Sequence, residues 1–154
     1  MAYVKIKWNP EFLRAVANTF SEGGTLQQWV DSSILESITP YLPFDTGMLA
    51  ASGRLNTIIG SGKIIWNTPY AQYLYYGLLM VDPDYLIGAF HNPITGRFWS
   101  RPSVKKIPDP QGRQLQFQKL QPKSGPFWAE RWMEDNLVEF TKNLTIKAGE
   151  LIHQ

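Results

Sequence analysis

GPFWAERWMEDNLVEFTKNLTIKAGEL, residues 125–151, carries the strongest periodic signal in the chain. Met133, Leu137, Phe140, Leu144, Ala148 and Leu151 recur at steps of three and four, which places them on one face of an amphipathic helix. Gly125-Pro126 opens this helix, because proline fits the first helical position, where no N–H is needed. Trp128 and Trp132 form a second stripe one turn apart, with two readings open: core, or an aromatic anchor for a partner.

Upstream of this helix the texture is different. From Leu78 to Gly125, Pro83, Pro93, Pro102, Pro108, Pro110 and Pro122 recur with Gly88, Gly96 and Gly112 between them. Such a density of breakers excludes a long helix and predicts an extended arm, with short strands near Arg97–Trp99 and Leu115–Phe117. Further back, Thr68-Pro69 opens a short aromatic helix from Tyr70 to Tyr76, ended by Gly77. Leu55, Thr57 and Ile59 alternate ahead of Gly60-Ser61-Gly62, and Ile64, Ile65 and Trp66 follow, which predicts a hairpin. Pro43 to Leu49 reads as a turn leading into a short helical segment, with Asp45 placed to cap it. Thr25 is the expected cap of a helix with Leu26, Trp29, Val30, Ile34 and Ile38 on its apolar stripe, stopped by Pro40 and Pro43. At the start, Val4, Ile6 and Trp8 read as a strand, and Asn9-Pro10 opens a helix through Phe20. The expected fold is therefore α+β. Helices flank a small, mostly antiparallel sheet in a single domain over 1–154, with 78–125 as a long Pro-rich arm and a long C-terminal helix.

A chain of 154 residues that is 44% hydrophobic and 18% charged excludes wholesale disorder. The absence of cysteine removes disulfide scaffolds, thiol nucleophiles and cysteine-rich zinc sites together. The opening MAYVKIKWNP lacks the apolar core of a signal peptide, and no membrane span is visible, so a cytoplasmic origin and no membrane partner are expected.

The chemistry-bearing residues do not converge. His91 and His153 lie far apart without metal-ligand spacing, and Asp82-Pro83-Asp84 has the composition of a turn rather than of a paired acid and base. Gly60-Ser61-Gly62-Lys63 lacks the full phosphate-loop pattern, since Ile64 stands where a Ser or Thr should follow the lysine. No catalytic residue, metal ligand or cofactor is expected. The aromatic run Trp66, Tyr70, Tyr73, Tyr75, Tyr76 is read as core or subunit contact ahead of stacking on bases.

Charge is more informative. Between Arg97 and Lys123, seven basic residues (Arg97, Arg101, Lys105, Lys106, Arg113, Lys119 and Lys123) face Asp109 alone. That surplus of six, in a chain of net charge +2, leaves −4 for the remainder. A basic arm on an acidic body is either a solvated loop or a device for reaching an acidic partner or nucleic acid. Arg97, Arg101, Lys105, Lys106 and Arg113, with Trp128 and Trp132, are thus the candidate interface residues. Self-repulsion predicts an arm poorly ordered on its own.

Three motifs carry a resemblance. Pro43-Phe44-Asp45-Thr46-Gly47-Met48-Leu49-Ala50-Ala51-Ser52 resembles the P-x-D-T-G-x-L-x-x-S signature of the minor capsid, or tail-completion (neck), proteins of tailed phages. Asn67 to Gly77 resembles that family's YAxYxxYG segment, and Lys123 to Arg131 its KAGPFWFER segment, in the same order along the chain. The signature positions Pro43, Asp45, Gly47, Leu49 and Gly77 are fold-forming and transfer no catalytic site. The resemblance implies a non-enzymatic virion protein, assembled in the host cytoplasm. It implies a homomeric ring in the neck, with six copies to match tail symmetry, between head-closure and tail proteins and close to DNA in the channel. Other stations in the virion (head closure, tail terminator, capsid-bound minor protein) and a nucleic-acid-binding protein using the basic arm are the alternatives.

Overall fold

A computed structural model describes residues 21–117 and 121–152. The expected first strand and the helix from Asn9-Pro10, as well as Lys119 and His153, lie outside the described residues.

Helix α1 spans Thr25–Ile38 and runs directly into a 3-10 turn, Thr39–Tyr41. Leu26, Leu35 and Ile38 are buried, as the stripe predicts. The cap differs from expectation. Gly24 is the N-cap, Thr25 is already helical, and no side chain caps the end; instead Gln28 Nε2 donates back to Gly23 O at 2.9 Å. At the far end Pro40 has no N–H to continue the α pattern, so the chain tightens and Leu42 N bonds Thr39 O.

Helix α2 spans Met48–Asn56 and takes Leu55 into its last turn, so the expected hairpin around Gly60–Gly62 does not form. The physical reason is a buried acid. Asp31 of α1 accepts from Gly60 N at 2.8 Å, Gly62 N at 3.1 Å and Gln27 Nε2 at 2.7 Å. A carboxylate out of water must be satisfied, and these amides satisfy it by wrapping the loop around it. The loop that resembles a phosphate cradle thus holds an anion supplied by its own chain. Trp66 then packs against α2 at Gly53, where a Cβ would meet its Nε1 at 2.6 Å.

Helix α3 spans Ala71–Tyr76 and stops at Gly77, which sits in the left-handed region (φ 64) and returns its N–H to Leu74 O. From there the chain leaves as a finger of two nested antiparallel ladders. Strands β1 (Met80–Val81) and β4 (Ile107–Pro108) pair at the base, and β2 (Phe90–His91) and β3 (Phe98–Trp99) near the tip. A lone bridge, Leu78↔Gln114, sits below the first ladder. The strand expected at Phe98–Trp99 is present; residues 115–117 form none.

Helix α4 spans Trp128–Ile152, a length of roughly 37 Å. It starts two residues after Pro126. Phe127, at φ 49, makes the sharp entry, with its N–H held by Tyr75 O at 2.9 Å. Trp128, Trp132 and Ala148 are buried and Met133, Asn136, Phe140, Leu144 and Leu151 half-buried, so the face read from the sequence turns inward except at Leu137, which is 43% exposed. The core gathers Ile38, Tyr41, Leu42, Leu49, Ala71, Trp128 and Trp132, so α1, α2, α3 and the start of α4 close around one cluster. The architecture is α+β, as expected.

Candidate assembly interface

The finger has little apolar interior, and local turn chemistry shapes it. Asp82 Oδ1 accepts from Asp84 N (3.0 Å) and Tyr85 N (3.3 Å), while Leu86 N bonds Asp82 O and Asp82 N bonds Ile87 O. Asn92 repeats the device: its Oδ1 takes Ile94 N (2.9 Å) and Thr95 N (3.2 Å), Gly96 N bonds Asn92 O, and Asn92 N bonds Arg97 O. Asp109 builds a shorter version with Gln111 N and Arg113 N. Each begins with Asp or Asn followed by proline and contains a left-handed residue, Leu86, Gly96 or Gly112. Reading Asp82-Pro83-Asp84 as a turn therefore holds. The sequence reading did not connect it with Asn92-Pro93 and Asp109-Pro110, although the recurring dipeptide was the available signal.

Ion pairs lock these turns together. Arg101 Nε donates to Asp82 Oδ2 at 2.6 Å, and its Nη2 to Asp82 Oδ1 (2.6 Å) and Asp84 Oδ2 (2.5 Å), while the guanidinium lies over the Tyr85 ring. Arg113 does the same for Asp109, with Nε to Oδ2 at 2.7 Å, and also reaches Leu86 O. Lys106 donates to Gly88 O. Lys123 leaves the finger and donates to Tyr41 Oη and Asp135. Of the candidate cations, only Arg97 and Lys105 have exposed side chains with no partner among the described residues.

The expectation of a self-repelling arm therefore does not hold. A window that starts at Arg97 leaves out Asp82 and Asp84, the acids that Arg101 engages. The same pairings shift the acids. The Arg101 guanidinium holds Asp82 below the ordinary carboxylate range, and the Arg113 guanidinium brings Asp109 down to about 2. A depressed folded pKa stabilises the folded form above the ordinary carboxylate value and loses that contribution as pH falls through the folded value. Carboxyl titration followed by NMR should therefore give Asp82 and Asp109 midpoints below 3.8, with finger amide signals collapsing from about pH 4 downward toward 2. Midpoints at the ordinary value would mean the ion pairs do not hold the finger in solution.

On this frame sits a ladder of aromatic side chains. Phe90 and Trp99 stack at 4.7 Å, Tyr85 meets Phe90 edge-on at 5.2 Å, and His91 lies against Phe98 on neighbouring positions. Ile94 at the tip is 92% exposed and Phe98 73%.

Tyr41 fastens the finger's return to the body. Its hydroxyl donates to Asp135 Oδ2 at 2.7 Å and accepts from Asn136 Nδ2 and Lys123 Nζ, each at 2.9 Å. Arg131 adds bonds to the carbonyls of Lys123, Pro126 and Tyr41. Trp128 and Trp132, candidates for the interface, are instead core residues at 2% and 5% exposure; Trp132 Nε1 donates to Ser37 Oγ.

Among the signature positions, Leu49 is buried and Gly77 ends α3. Gly47, at φ 77, is itself the N-cap of α2, with the Phe44 ring against it. Asp45 is exposed and caps nothing, a correction to its expected role; the left-handed turn at Gly47 separates it from the helix end. Pro43 is half-buried ahead of this turn. The tyrosine run divides: Tyr75 packs on Trp128 at 4.7 Å and donates to Glu130, and its burial pushes the hydroxyl above its ordinary pKa. Tyr70 and Tyr76 remain exposed.

Among the described residues no cluster of three or more His, Asp or Glu is placed to hold a metal, and no helix is long and apolar enough to cross a membrane. No curated protein and no solved structure matches the chain. A family profile of minor capsid proteins matches residues 24–109, from the start of α1 through β4 and thus more than half of the sequence. A body closed around α1 to α4, from which an ion-paired finger projects, accordingly belongs to the minor capsid protein family, whose role is structural and in the virion.

Proposed function

We propose that the protein is a subunit of a closed homomeric ring in the phage head–tail connection, working without catalysis between head-closure and tail proteins. The observation that carries this reading is the finger: a stiff, cross-linked projection with apolar side chains at its tip and little core behind them. Such an element gains stability by lying against another molecule, and subunits that each project one and receive one meet head to tail, the geometry of rings. Six copies match tail symmetry by resemblance. The basic-arm alternative, nucleic-acid binding, has less to work with, since Arg101 and Arg113 are engaged by aspartates.

A phage lacking the protein is expected to accumulate DNA-filled heads and free tails that do not join, as seen by electron microscopy of lysates. Arrest at empty or aberrant capsids would instead assign the protein to the head shell.

A further inference from the structure

Phe127 stands where sequence and structure disagree. Proline at 126 fits the first position of a helix, yet α4 begins at Trp128, with Arg131 N bonding Phe127 O at 3.1 Å. Phe127 itself holds φ 49, in the left-handed region that bulky side chains avoid. Its ring meets Tyr75 and Tyr76 edge-on and is 43% exposed, so core packing does not impose that conformation. Other costs gather beside it. Gln121 Oε1 and Ser124 Oγ are buried and have no hydrogen-bond partner among the described residues. Unmade bonds and a strained backbone in one short segment are a store of free energy.

Backbone clamps hold this segment in place. The Phe127 N–H donates to Tyr75 O at 2.9 Å. Arg131 donates through Nε to Pro126 O at 2.8 Å, through Nη1 to Lys123 O at 2.6 Å and through Nη2 to Tyr41 O at 3.3 Å. Gly125 N reaches the same Tyr41 carbonyl. The clamps sit on both roots of the finger. Tyr75 lies just before Gly77, where the finger leaves α3, and Lys123 lies on its return to the body. A second arrangement is open to the segment. With Pro126 and Phe127 helical, Gly125 becomes the cap, and the amides of Ala129 and Glu130 find carbonyls four residues back, on Gly125 and Pro126. The two arrangements exclude each other, because Phe127 is left-handed in one and helical in the other.

We propose that residues 125–127 are a spring-loaded joint: Arg131 and Tyr75 latch Phe127 in its strained form, and release adds Pro126 and Phe127 to α4 and re-aims the finger. A partner that holds the finger in its second aim draws on the strain stored at the joint, so the projection has two settings. This holds for any partner of the finger and stands apart from the ring reading.

Glycine separates strain from packing. Phe127→Ala and Phe127→Gly both delete the ring, but only glycine accepts φ 49 freely. Phe127→Gly should therefore melt above Phe127→Ala, although alanine is the better helix former. Arg131→Gln removes the clamp. In hydrogen exchange, the amides of Ala129 and Glu130 should then gain protection several-fold, while that of Phe127 loses it. The chain has no cysteine, so spin labels at Ile94→Cys and Val138→Cys, both exposed positions, report the finger against α4. Arg131→Gln should move that distance or split it in two. Adding Phe127→Gly to Arg131→Gln should return both readouts toward the parent, because the strain that drives release is gone. If Arg131→Gln folds poorly, Arg131→Lys makes the same test, since one ammonium cannot span three carbonyls. Phe127→Ala melting at or above Phe127→Gly overturns the strain. Clamp variants that leave Ala129 and Glu130 unprotected and the label distance at its parent value make 125–127 a fixed turn and overturn the joint. Gained protection with an unmoved finger overturns the re-aiming.

Discussion

Trp128→Ala is expected to lower the melting temperature by roughly 6–20 °C, because deleting a buried tryptophan costs about 3–5 kcal/mol and a chain of this size shifts about 2–4 °C per kcal/mol. The large effect follows from position. Trp128 opens α4 at 2% exposure, with the Tyr75 ring at 4.7 Å and the Trp66 ring at 5.8 Å, both edge-on. Removing it leaves a hole bounded by three elements that cannot all collapse into it. Against a total stability of roughly 5–15 kcal/mol, this is a large share. Leu137→Ala is the informative control. The periodic pattern assigns Leu137 to the buried face, whereas the structure leaves it 43% exposed, so its removal should cost well under about 1 kcal/mol. Thermal unfolding of both variants tests the placement of Leu137: a Leu137→Ala loss equal to that of Trp128→Ala would put Leu137 in the core.

That helix shows where sequence reading succeeds and fails. Its existence and length were legible from apolar spacing, as was the α1 stripe that buries Leu26, Leu35 and Ile38. The inward face was legible except at Leu137, because that face also takes in Asn136. A polar residue looks like a surface position until Tyr41 is found accepting from its amide. The missing hairpin has the same origin: nothing local to Gly60–Gly62 announces that Asp31, about thirty residues away, will take its amides. The finger was legible as an extended arm because prolines exclude helix, yet its strands of two residues are too short for any periodicity to register. Its cross-links join Arg101 to Asp82 across 19 residues, a pairing that composition cannot announce. Of the interface candidates chosen by charge, Arg101, Lys106 and Arg113 therefore have hydrogen-bond partners within the finger.

The second large effect is expected at Arg101. Its guanidinium touches both oxygens of Asp82, a carboxylate whose side chain is 5% exposed, and reaches the exposed Asp84 as well. Arg101→Glu replaces that bridge with a third negative charge beside two others, one of them largely shielded from water. Asp82 also holds the Asp84 and Tyr85 amides, so repulsion that displaces it opens the turn between β1 and β2. Loss of that turn removes the register in which Phe90 stacks on Trp99. Hydrogen exchange should then show the amides of Asp82, Asn92 and Asp109, which are hydrogen-bonded within the finger in the parent, losing their protection, while those of α1 and α4 keep it. Lys105→Glu makes the same change of charge at an exposed side chain with no partner among the described residues and should leave every one of these amides as it was. Comparing the two separates structure from surface charge. If both variants fail to assemble but only Arg101→Glu opens the finger, Lys105 meets the partner directly and Arg101 acts through shape. If Arg101→Glu keeps the finger amides protected, the ion pair is not what holds the finger, and the Asx turns and stacked rings must suffice.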